Sequence, residues 1–247
     1  MKQLFKSAGL PAVAVELGFI GLALRRLLYI FAVDDKGLLI TRHPLAVALW
    51  LLTALAAAMF ALTLRKLQKN PEDRGYTPEG RWAAAGHFAA ALGIGLTMLT
   101  RQPRMPGGLG QAWLVFGLAA PVCLALAGAM LAKEKKPLFL LHLIPCLFLL
   151  VHIVNHYQMW SADPQLMDYA FMLFGTMALM LFAFHTASLE AGMGGGRLQR
   201  FMGLEAVYLL LTELATGMYP WLYLGGIAWA ATGLCSLEPK TEEKKEM

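Results

Sequence analysis

Charge is scarce in this sequence. Of its 247 residues only 15% are Asp, Glu, Lys or Arg, where soluble domains average about a quarter. No stretch is both long and polar enough to fold as a separate soluble domain. Cysteine is scarce as well: Cys123, Cys146 and Cys235 all lie in apolar runs, which excludes a disulfide framework. No Asn-x-Ser/Thr sequon is present, and there is no His-Glu-x-x-His to supply the metal pair and general base of a zinc protease. The glycines around Gly192–Gly196 lack the Gly-Lys-Ser/Thr of a phosphate-cradling loop and follow no strand pattern, so they read as a turn.

What is there is apolar, at 58% of the chain. A helix needs about 20 mostly apolar residues to cross the hydrocarbon core, and eight such segments follow one another. They cover 9–33, 45–64, 82–100, 112–132, 137–158, 167–188, 201–218 and 220–237, with a charged tail over 238–247. The expectation is an all-α, polytopic integral membrane bundle of about eight helices in one domain. The run 201–237 must be two spans, because as one helix it would be about 55 Å long against a core of about 30 Å. Pro220 supplies the break. Met1 to Phe19 has the basic flank of a signal peptide, but the apolar run continues to Val33 and Glu16 interrupts it. An uncleaved first helix is the better fit.

Lysine and arginine set the orientation. One side of the membrane takes fifteen of them: Lys2, Lys6, Arg65, Lys66, Lys69, Arg74, Arg81, Lys133, Lys135, Lys136, Arg197, Arg200, Lys240, Lys244 and Lys245. The other side takes four, Lys36, Arg42, Arg101 and Arg104. This bias predicts both termini in the cytoplasm of a cell (plasma) membrane protein. The net charge of +5 then serves anionic headgroups rather than nucleic acid. The expected partners are the lipid bilayer and a membrane-protein partner or a second copy. Small residues four apart, Ala85-Ala89-Gly93-Thr97 and Gly117-Pro121-Ala125-Ala129, predict close helix packing.

An ionisable group inside a bilayer costs a few kcal/mol on insertion scales, and each is a candidate site. On the fifth helix His142, Pro145, His152 and His156 fall within an arc of about 80°. His152 and His156, four apart, could present two imidazoles to a divalent metal, although zinc normally takes three or four ligands. On the seventh helix Glu205, Tyr208, Thr212 and Thr216 share a similar arc, extended by Glu213. His87, His142, His185 and Glu205 each lie about one and a half turns from the same membrane face, and Glu16 one turn deeper. If they converge, they form a substrate or proton path, or through facing imidazoles a haem or metal site. The alternative is that each reaches separately for its nearest headgroup. Arg25 and Arg26 lie in the opposite half of the first helix, where with Asp163 and Asp168 they could shape an anion-binding outer mouth.

No motif fixes a reaction. The first expectation is a small transporter or solute-binding membrane protein with a His/Glu-lined interior. Against it stand a noncatalytic accessory subunit and an intramembrane metal or haem enzyme.

Overall fold

In the computed structural model the described residues form a bundle of eight α-helices. The described residues are 9–34, 39–40, 42–67, 80–100, 108–160, 169–193 and 196–236. The helices are α1 (Gly9–Phe31), α2 (Pro44–Leu67), α3 (Gly80–Thr100), α4 (Gly108–Ala132), α5 (Leu140–Trp160), α6 (Ala170–Glu190), α7 (Gly196–Glu213) and α8 (Pro220–Cys235). Five of them, α2 to α6, are long and apolar enough to cross a membrane. The other three fall short for visible reasons. Helix α1 carries Glu16, Arg25 and Arg26, α7 has 18 residues including charged ones, and α8 has only 16.

The long run toward the C-terminus breaks ahead of Pro220. Helix α7 tightens into a 3₁₀ turn over Leu214–Thr216, and Gly217 then takes a left-handed φ of 65° that a side chain would resist. Proline at the start of α8 has no N–H to leave unsatisfied. Helix α5 begins at Leu140, three residues inside the expected segment, and α7 begins at Gly196, earlier than expected.

Packing follows a simple plan. Helices α3 to α8 form a closed ring, each touching the next and α8 returning to α3. Helix α1 lies along the outside of α7, and α2 packs on both. Helix α7 is therefore central, and every residue from 203 to 213 is buried. Because successive helices alternate in direction, the proximal end of the bundle is where α1 begins and α8 ends. The distal end is where α7 meets α8.

Outward faces are apolar. On α4, Val115, Leu118, Val122 and Leu126 are exposed at helical spacing, and α2 and α3 present Leu55 and Leu99 in the same way. Such a surface is costly in water and suits acyl chains. Trp82, 75% exposed near the proximal end, and Trp221 near the distal end sit where aromatic belts meet headgroups.

The tightest seam joins α3 to α8. A Cβ at Gly93 would collide with the Trp221 carbonyl and lie 3.0 Å from Gly225 Cα, and one at Gly86 would collide with Thr232. The stripe facing α8 is thus Gly86, Ala90, Gly93 and Thr97, all buried, whereas Ala85 is exposed and Ala89 half-buried. A strict four-residue repeat drifts by about 40° per step. Ala85, two steps from Gly93, consequently turns away. Drift explains α4 as well, where Gly117 packs on Met98 and Phe148 but Pro121, Ala125 and Ala129 are only half-buried.

Replacing Gly93 by Ala is expected to lower stability by about 1–3 kcal/mol, the usual range for overpacking a filled site. Gly95→Ala, with open space where its Cβ would go, should be neutral or slightly stabilising. Thermal unfolding of the two variants in detergent checks the contrast.

Candidate functional site

Four of the six histidines are almost wholly buried, and they form two stations inside the helix ring. At the proximal station His87 of α3 and His142 of α5 meet edge-on, with their Nε2 atoms 2.7 Å apart. His142 Nδ1 lies 2.7 Å from Glu190 Oε2 at the end of α6. His87 Nδ1 lies 2.7 Å from the Ala83 carbonyl one turn back. The indole of Trp229 on α8 stacks on His142 and donates from Nε1 to His87 Nε2 at 3.1 Å. Four helices are tied together by one imidazole pair.

The partners dictate where the protons are. A carbonyl only accepts, so His87 carries its proton on Nδ1 and donates to Ala83. Its Nε2 is then a lone pair, which accepts from Trp229. The 2.7 Å contact with His142 Nε2 is attractive when that nitrogen bears a proton and donates, the single His87 lone pair then being shared between His142 and Trp229. A further proton lies between His142 Nδ1 and Glu190 Oε2, on one atom or the other, since a bare nitrogen and a bare carboxylate would repel. The three side chains then carry no net charge, whether the last proton sits on imidazole or on carboxyl. That balance matters, because an uncompensated charge at this depth costs several kcal/mol.

The distal station uses the other end of α5. Trp113 of α4 donates from Nε1 to His152 Nδ1 at 3.1 Å, which leaves the His152 proton on Nε2. His156 donates from Nδ1 to the His152 carbonyl at 2.9 Å. Its Nε2 accepts from the Tyr219 hydroxyl at 2.5 Å. The two imidazoles lie with centroids 4.1 Å apart.

A third polar group holds α1 to α7. Arg25 and Glu213 form an ion pair at 2.9 Å, with side chains 3% and 1% exposed. The guanidinium also lies over the Phe171 ring at 4.7 Å, a cation–π contact. Thr216 donates to Glu213 Oε1 at 2.9 Å. Nearer the bundle centre the Tyr208 hydroxyl and Thr53 Oγ1 are 2.9 Å apart, joining α7 to α2. Thr212 donates to its own helix, at the Tyr208 carbonyl. Glu205 is buried, and its Oε1 has no hydrogen-bond partner among the described residues.

The polar residues expected to converge therefore divide. His87 and His142 do meet. Their carboxylate partner is Glu190, not Glu205 or Glu16. Glu16 is exposed on α1, and His185 is half-buried beside the Phe184 ring, outside the hydrogen-bonded group. Glu205, Tyr208 and Thr212 lie on the face of α7 toward α1 and α2, where Thr212 abuts Gly21 and Tyr208 meets Thr53. The proposed outer mouth also changes character: Arg25 is neutralised within the bundle, and Arg26, exposed, donates to the Ala215 carbonyl at 3.4 Å. Asp163 and Asp168 lie outside the described residues.

Sequence reasoning missed Glu190, Trp229, Trp113 and Tyr219. Glu190 lies two residues beyond the expected sixth segment. Its depth, level with His142 across an antiparallel hairpin, was the available signal.

Metal chemistry fits the geometry poorly. Among the described residues no group of three or more His, Cys, Asp or Glu is disposed to hold a metal ion. A metal or haem iron between facing imidazoles, at ~2 Å from each nitrogen, would need them about 4 Å apart, whereas His87 and His142 are separated by 2.7 Å. At the His152–His156 pair three of the four ring nitrogens already bond protein groups. No family model, curated protein or solved structure matches the chain, so the functional reading rests on this geometry.

Breaking the Arg25–Glu213 pair from one side should be severe. Arg25→Met strands a carboxylate and is expected to cost about 3–5 kcal/mol, while the double variant Arg25→Met/Glu213→Leu recovers most of that. A double-mutant cycle by chemical or thermal unfolding reads the coupling.

Proposed function

We propose that this multi-pass membrane protein is a small transporter in which the His87–His142–Glu190 chain binds and releases a proton as part of the transport cycle. The observation that carries the reading is the 2.7 Å contact between the two Nε2 atoms. It requires a proton, and it links two helices that are not neighbours in the ring.

The chemistry follows from the proton inventory. In the loaded state His142 donates to His87 on one side and shares a proton with Glu190 on the other. Loss of one proton leaves Nδ1–H directed at a carboxylate and a lone pair on His142 Nε2. Two lone pairs then face each other at hydrogen-bond distance, and attraction becomes repulsion. Helices α3 and α5 are driven apart, or His142 turns away from His87. Either movement changes the packing of Trp229, and with it the α3–α8 seam. Imidazole is suited to this task because its unperturbed titration lies near neutral pH. In this reading the proximal end faces the cytoplasm of the plasma membrane, consistent with the Lys/Arg bias. Glu190, at the last position of α6, is the exchange point with that side.

The test uses proteoliposomes holding a trapped pH dye and a panel of amino acids, sugars and organic cations. At least one solute class should drive proton movement with the native protein and fail to do so with Glu190→Gln or His142→Gln. In parallel, the ¹⁵N resonances of His142 should shift as external pH is varied. Absence of solute-driven proton movement across the panel, together with a His142 signal that does not respond to pH, overturns the proposal.

A further inference from the structure

A second site stands at the distal station, and it follows from buried groups that the hydrogen-bond network leaves over. His152 is completely buried, and Trp113 occupies its Nδ1, so its proton is on Nε2. That Nε2–H has no hydrogen-bond partner among the described residues. One turn on, Asn155 is 2% exposed, and its side-chain oxygen is likewise without a partner among the described residues. The two residues are three apart on α5, within about 60° of each other. Aromatic rings wall the position: Trp113, Phe148 and Tyr219 all lie within 6.4 Å of the His152 ring, centroid to centroid.

Leaving a buried donor unmade costs about 1–3 kcal/mol, and a second group on the next turn doubles the penalty. Native interiors satisfy the great majority of such groups. We infer that His152 and Asn155 together bind a small neutral oxygen ligand, with His152 Nε2–H donating to that oxygen and the Asn155 side chain making the second contact.

Charge decides the class of ligand. His152 offers a donor, so the ligand atom must accept. An anion would need a cation to balance it at this depth. Of the described cations at this end, Arg25 is already paired with Glu213, and Arg26 and Arg42 are exposed. A cation would face an N–H rather than a lone pair. A neutral oxygen satisfies both groups, because a hydroxyl or water can accept from His152 and donate to Asn155. A carbonyl oxygen with a neighbouring N–H, as in an amide, does the same. The oxygen could belong to a resident water or to a neutral solute, and these sources share one chemistry. The site does not depend on proton exchange at His142, so it stands or falls independently of the transport reading.

Nuclear magnetic resonance of the full chain, ¹⁵N-labelled at histidine and reconstituted in nanodiscs, reads the site directly. The His152 Nε2–H should show the downfield shift of a hydrogen-bonded proton. A cross-peak from that proton to water identifies resident water as the ligand. Its displacement on adding glycerol, urea or acetamide, with no change at His87, identifies a solute site. Asn155→Leu keeps the side chain's bulk but removes its hydrogen bond. It should weaken retention of whichever oxygen is bound by about fivefold, the worth of one neutral hydrogen bond. His156→Gln, at a neighbour that meets the His152 ring and carbonyl and accepts from Tyr219, keeps a side-chain amide for the Tyr219 hydroxyl and should leave the Nε2–H signal downfield. A His152 Nε2–H at the position of an unbonded imidazole, indifferent to water and to all three solutes, overturns the assignment. So does an Nε2–H shift that Asn155→Leu leaves untouched while the variant remains folded.

Discussion

Acyl chains offer no hydrogen bonds, and this one deficiency organises the polar interior of the bundle. Each buried donor or acceptor must find its complement inside the protein or on something the protein binds. The ring of α3 to α8 answers that demand by turning four of its histidines inward and meeting them with indoles, a phenol and a carboxylate. Trp113 and Trp229 are well suited to the role. Each covers a large apolar area and has a single N–H, which here goes to an imidazole lone pair. Those two bonds fix the tautomers on which the rest of the network is built.

Helix α7 imposes the second constraint. Buried all round over 203–213, it keeps two polar systems apart. On its ring side, Gly203 packs on Phe182, and Leu210 abuts Gly175 and Gly226. Its other side meets α1 and α2 through Gly18, Gly21 and Thr53. The histidine network belongs to the ring, while Glu205, Tyr208, Thr212 and the Arg25–Glu213 pair belong to the attachment of α1 and α2. Treating these as one cavity, as matching depths suggest, conflates two faces of one helix. Depth along the membrane was readable because rise per residue is constant. Rotation about each axis was readable within a helix but not between helices, because relative rotation is set by packing.

That distinction accounts for what could be read in advance. Eight helices and their apolar outer faces follow from hydropathy and length, terms that are local in the chain. The break at Pro220 follows from proline's missing donor. His142, His152 and His156 share an arc on α5, and all three are buried. Their partners could not be derived, since Glu190, Trp229, Trp113 and Tyr219 come from other helices whose rotation depends on side-chain fit. The small-residue stripe on α3 shows the same limit on a finer scale. Its existence was legible, yet which residues face α8 depended on a 40° drift and on where Trp221 and Gly225 came to rest.

Between the two histidine stations the interior is apolar. His142 and His152 are ten residues apart on α5, about 15 Å along the axis. The layer between them is filled by Phe148, Leu149 and Leu124, each wholly buried. A proton cannot cross that distance without water or a movement of the helices, and the Phe148 ring lies tilted against both Trp113 and His152. A transporter must avoid a continuous wire, because an unbroken chain of hydrogen bonds would let protons run downhill without solute. For the proposed transporter, two polar stations separated by an apolar layer would meet that requirement. On the proposed reading the proximal station senses the proton and the distal one holds a neutral oxygen, and a change in how α3, α5 and α8 pack connects them. Coupling between the two sites would then run through the shared helix α5 and through Trp229, whose indole is bonded to His87 and seated against Phe182.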